Sequence, residues 1–179
     1  MRKLKLSVCA VAMTIASGSA MAVGQGTVTF NGQLIAETCT IANDSIDVQV
    51  TLPTVSVQTL AAAGATAGSK GFDLNVIDCP AGITQVAAHF EAIGSSGVDS
   101  TTGNLTNQYT GTTDDPAATA VQVRLYNSDE QPLKLGETGA AAAVTSGSAT
   151  MRYYGGYYAT AKTGAGKVNA KAAYTLAYP

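Results

Sequence analysis

The chain has 179 residues, of which 12% are charged, with no tryptophan, one histidine and a formal net charge of −2. That balance excludes nonspecific nucleic-acid binding, which needs a clustered positive surface, and a single histidine leaves no imidazole set for a metal triad. The first segment sets the compartment. Arg2, Lys3 and Lys5 form a basic head, Leu6 to Ile15 is a short apolar run, and small residues lead to Ala20-Met21-Ala22. This is the pattern of a cleaved secretory signal over residues 1–22, with cleavage after Ala20 as the close alternative to Ala22. The apolar run is too short to span a bilayer stably. Losing the three basic residues leaves 7 positive against 12 negative side chains, a net charge of −5.

Cys9 departs with the signal, which leaves Cys39 and Cys79. An even pair in an exported chain reads as a disulfide. The remainder fits one domain with a real core. It reads as short strands separated by small polar residues. Gly26–Asn31 places Val28 and Phe30 on one face, Asn31-Gly32 is a turn or bulge signal, and Leu34–Cys39 resumes extended structure. Ile46–Leu52 alternates again and is closed by Pro53. Ser56–Ala63 can form one or two helical turns, and Ala61–Lys70 reads as a small-residue loop. Gly71–Cys79 and Ile83–Ile93 are strands, and Gly94–Pro116 is a long excursion or a pair of short edge strands around Leu105–Thr110. Thr119–Tyr126, Pro132–Leu135, Thr150–Thr160 and Lys167–Tyr178 follow, with Gly139–Gly147 left as an Ala/Gly/Ser stretch. Eight or nine strands at this spacing predict an all-β Greek-key sandwich or barrel.

Catalytic constellations are missing. His89 sits among apolar neighbours as a structural residue, and no serine lies in a G-x-S-x-G elbow. Asp114-Asp115 and Asp129-Glu130 read as solvated loop charge, and Gly164-Ala-Gly-Lys167 lacks the first glycine and the hydroxyl residue of a phosphate loop. The triplets at Asn43 and Asn104 fit the N-glycosylation pattern by composition alone. The tyrosines Tyr153, Tyr154, Tyr157 and Tyr158 suit core and subunit packing, one of each pair packing inward. No cofactor is expected.

The opening Val23-Gly-Gln-Gly-Thr-Val-Thr-Phe-Asn-Gly32, the Cys39–Cys79 pair, the Val121–Asn127 strand and the terminal Ala173-Tyr-Thr-Leu-Ala-Tyr-Pro179 together resemble the major pilin of chaperone–usher (type 1-like) fimbriae. The resemblance implies an incomplete immunoglobulin-like Greek-key sandwich completed by a donated strand. It implies a donor extension over residues 23–31 (Val23, Gly24, Gly26, Val28 and Phe30) ahead of a pilin domain at 32–179. Gly24 or Gly26 would meet the shallowest part of the groove. The groove-edge and chaperone-binding strand would carry Ala172, Tyr174, Leu176, Tyr178 and Pro179, whose terminal carboxylate the chaperone would anchor. Implied partners are identical neighbouring subunits, a periplasmic chaperone, an outer-membrane usher, and tip or adaptor subunits. The implied destination, reached through the periplasm, is the fimbria at the bacterial surface. The alternatives are a minor or adaptor fimbrial subunit, or an adhesive binding module.

Overall fold

The computed structural model describes residues 27–35, 37–94 and 97–179. The expected signal, with Val23, Gly24 and Gly26 of the expected donor segment, lies outside the described residues. The chain divides into two units, residues 1–34 and 35–179. In the first, residues 27–34 form no strand, and Val28 and Phe30 are exposed.

The second unit is built from antiparallel strands. They are β1 (Thr40–Ile41), β2 (Thr66–Ile77), β3 (Gln85–Ala92), β4 (Leu105–Thr106), β5 (Thr119–Tyr126), β6 (Pro132–Leu133), β7 (Ala142–Ala143), β8 (Ala149–Gly164) and β9 (Ala172–Ala177). One sheet runs β1-β2-β8-β5-β4 with β6 also on β5, and the other runs β7-β3-β9. Period-2 alternation directs one face of each strand into the space between the sheets. Leu74 and Val76 of β2, Met151 and Tyr153 of β8, Val123 and Leu125 of β5, and Val86, Ala88 and Phe90 of β3 are all buried there. Phe90 meets Tyr153 edge-on at 5.0 Å and Phe72 edge-on at 6.4 Å, a geometry that suits the ring quadrupoles. Burying each of the Val, Leu, Met and Phe side chains contributes about 1.5–3 kcal/mol.

Three expectations from the sequence need correction. The stretch Ala61–Lys70 is not a loop throughout, because β2 begins at Thr66. Its small residues serve close packing. Gly68 has φ +65°, the register slips between Ala67 and Lys70, and a Cβ at Gly68 would stand 2.9 Å from the Tyr157 ring. Ile46–Leu52 joins no ladder among the described residues. Ile46 instead closes the 3-10 turn Asn43–Ser45 in a helical conformation, and only Val48, Val50 and Leu52 keep the half-buried alternation. The Ala/Gly/Ser stretch contributes β7, whose two alanines pair with Gln85 and Val86. The helical turn within Ser56–Ala63 is present as a 3-10 turn, Val57–Leu60, with the Ser56 hydroxyl accepting from the Gln58 N–H.

Candidate functional site

Strand β9 borders β3 and nothing else among the described residues, so its outer edge carries no ladder. Its alternation is regular. Ala172, Tyr174, Leu176 and, just past the strand, Tyr178 pack against the core, whereas Ala173, Thr175 and Pro179 are exposed. Val168 and Ala170 continue the inward face ahead of β9. Reading only residues 172–179 as the groove strand missed them, although Val168-x-Ala170-x-Ala172 carries the same period.

The opposite wall is the run from Cys39 through Leu52 to Val57. It meets the β9 segment at three points. The Cys39 N–H donates to the Tyr178 hydroxyl at 3.0 Å, and the Tyr174 hydroxyl donates to the Ser45 carbonyl at 2.6 Å. Farther along, Val55 and Val57 share a cleft of about 510 Å³ with Val168 and Asn169. The two walls therefore run in opposite directions, with half-buried Val48 and Leu52 facing the same core as Leu176. No backbone ladder joins them among the described residues. The cleft has an apolar floor of Leu60, Val121 and Tyr157, and burial pushes the Tyr157 phenol above its ordinary pKa. Tyr174 is also raised, by burial first and then by the charge of Asp44. What this arrangement offers is an apolar trough, open at a sheet edge, that a single extended segment would fill.

The surroundings fix the trough at both ends. Cys39 and Cys79 are joined as a disulfide, and the Cys79 N–H donates to the Gly147 carbonyl, which ties the first wall to the turn before β8. At the far end Asp115 accepts from Lys167 at 2.8 Å and from the Tyr109 hydroxyl at 2.5 Å. Lys167 and Tyr109 together hold the Asp115 carboxyl below its ordinary pKa, so this residue is a loop latch and more than solvated charge. Gly166 is needed beside it, since a Cβ there would lie 2.5 Å from the Pro116 carbonyl oxygen.

The other residues singled out in the sequence have structural partners. His89 bonds Thr138 at 2.9 Å. Asn104 is buried, donating to Gln122 and accepting from Arg124, so its triplet belongs to a closed polar network. Tyr153 is fully buried while Tyr154 is half-exposed, and the Arg124 guanidinium lies 3.8 Å from the Tyr158 ring centre.

The family model described as "Fimbrial protein" matches residues 28–179. The chain is 42% identical to the major fimbrial subunit SMF-1 of Stenotrophomonas maltophilia over 93% of its own length and 99% of that protein's. It is 38% identical to the F17 fimbrial protein of Escherichia coli, over 93% and 94% of the two lengths. In fold it is similar to the P pilus rod subunit PapA, with a TM-score of 0.61 and 18% identity, covering 80% of this chain and 100% of that one. The two sheets are those of an incomplete immunoglobulin-like sandwich. The chain belongs to the fimbrial protein family: it is a major fimbrial subunit, a structural protein of surface fimbriae and not an enzyme.

Proposed function

We propose that this subunit polymerises by donor-strand exchange, the N-terminal extension of one copy filling the trough of the next. The observation that carries the reading is the free outer edge of β9 lying over half-buried Val168, Ala172, Tyr174 and Leu176 and facing the ladderless run Val48–Leu52. An exposed edge over apolar side chains is an aggregation liability, and an added strand removes it through main-chain hydrogen bonds and alternate side-chain contacts. Within the donor, Val28 and Phe30 supply the alternation and are exposed. Val23 and either Gly24 or Gly26 complete it, in a mature chain that starts after Ala20 or Ala22. Because donor and acceptor are different surfaces, each copy offers one of each, and the contact propagates head to tail.

Before assembly the same edge is held by a periplasmic chaperone that anchors the Pro179 carboxylate, and the outer-membrane usher exchanges that strand for the next subunit's extension. Tip or adaptor subunits end the polymer. Deleting residues 23–30 tests this. The deleted chain should accumulate with chaperone in the periplasm and yield no filaments, and wild-type filament yield from the deletion would refute it.

A further inference from the structure

Two tyrosines of the β9 segment do more than fill the trough. Just past β1, Ala42 continues the β1–β2 register by donating its N–H to the Asn75 carbonyl of β2, and successive extended residues turn their backbone groups to opposite sides. Residues 40 and 42 thus face β2, and Cys39 faces the trough. Its N–H is taken by the Tyr178 hydroxyl at 3.0 Å, and the Ser45 carbonyl is taken by the Tyr174 hydroxyl at 2.6 Å. These partners are 139 and 129 positions apart in sequence, so the bonds join the two walls and nothing local.

The reach of the side chain gives the bonds a meaning. A tyrosine hydroxyl stands about 6.5 Å from its own Cα by covalent geometry, and the hydrogen bond extends this to roughly 9 Å. Two strands with one strand missing between them are separated by about 9.5 Å, twice the 4.7–4.9 Å spacing. The rings lie on the inward face, where Tyr174 packs 6.3 Å from Phe90, so they pass beneath the plane an added main chain would occupy. Both bonds can therefore persist once the trough is filled.

Resting on the donor-strand reading, we infer that the Tyr174 and Tyr178 hydroxyls are struts that hold the empty trough one strand wide, pre-organising it for the incoming segment. A trough without them would have to open or regain its spacing at each encounter, which slows association and leaves dissociation little changed. Tyrosine is needed for this role and phenylalanine is insufficient, although both fill the core equally.

The test uses the full mature chain as a monomer and a fluorescein-labelled synthetic peptide of residues 23–31, in stopped flow. Tyr174→Phe and Tyr178→Phe should each lower the association rate at least fivefold, the double variant further, with dissociation rates within twofold of wild type. Association at the wild-type rate in the folded single variants would overturn the strut. Amide hydrogen exchange supplies a second arm that needs no peptide. The Cys39 amide should be protected in the empty wild-type chain and exchange at least tenfold faster in Tyr178→Phe, and equal protection would also overturn it. A wild-type chain that ignores the peptide while keeping Cys39 protected would refute the donor-strand reading, and the pre-organising role with it, while leaving the Tyr178–Cys39 bond between the walls in place.

Discussion

The Tyr153 hydroxyl accepts the Ala88 N–H at 3.0 Å and donates to the Ala140 carbonyl at 2.9 Å, standing in for one rung between β3 and the chain ahead of β7. Tyr153 belongs to the other sheet, so this one side chain ties the two layers together through the core. The space for its ring is provided at Gly139, where a Cβ would lie 2.4 Å from the ring edge.

Tyr153→Phe should therefore destabilise the domain by about 1–3 kcal/mol, because it leaves the buried Ala88 N–H without its partner while conserving the ring. Gly139→Ala should also destabilise it, through displacement of the same ring. Denaturant unfolding of the two single variants and the double checks both. Effects that add in full would contradict a shared mechanism, since both act through one ring position.

Removing the Cys39–Cys79 bond frees a loop of 40 residues in the unfolded chain. The polymer model puts the expected loss at about 4 kcal/mol, a large share of the stability of any domain this size. Cys39→Ser with Cys79→Ser should lower the unfolding free energy extrapolated from urea titration by that amount, and with it the urea midpoint and the periplasmic recovery. Two free thiols in native protein by mass spectrometry would contradict the bond itself.

Asp73 of β2 pairs with Arg152 of β8 across the ladder, with oxygen–nitrogen distances of 2.6 Å. The Arg152 hydrogen bonds hold the Asp73 carboxyl below its ordinary 3.8. A depressed folded-state value means that the pair's stabilisation is complete above about 3.8 and is lost as pH falls through the lowered value. The site is solvent-accessible, so the effect is small. Following the Asp73 carboxyl by NMR should give a midpoint below 3.8 that returns toward 3.8 in Arg152→Gln.

Much of the proposed acceptor site is legible in the sequence because it rests on period-2 alternation within one strand. Ala172, Tyr174, Leu176 and Tyr178 share a face in the structure as they do in the pattern. The Cys39–Cys79 bond follows from counting cysteines in an exported chain. What escapes the sequence depends on partners far along the chain. The small residues of 66–70 look like a loop until Tyr157 is seen to need the room at Gly68. The Tyr174 and Tyr178 bonds to Ser45 and Cys39 have no local signature. The alternation at Ile46–Leu52 predicts a strand, and the proposed donor-strand exchange would account for its joining no ladder among the described residues, since the strand to pair with it would come from another copy.

A cryo-EM map of the assembled filament, at a resolution that distinguishes side chains, would decide whether that strand is there. Donor-strand exchange predicts one extended segment between the outer edge of Ala172–Ala177 and the run Val48–Leu52, with Val28 and Phe30 of the neighbouring subunit directed into the core. A bare edge, or an edge filled by the chain's own N-terminal segment, would contradict it.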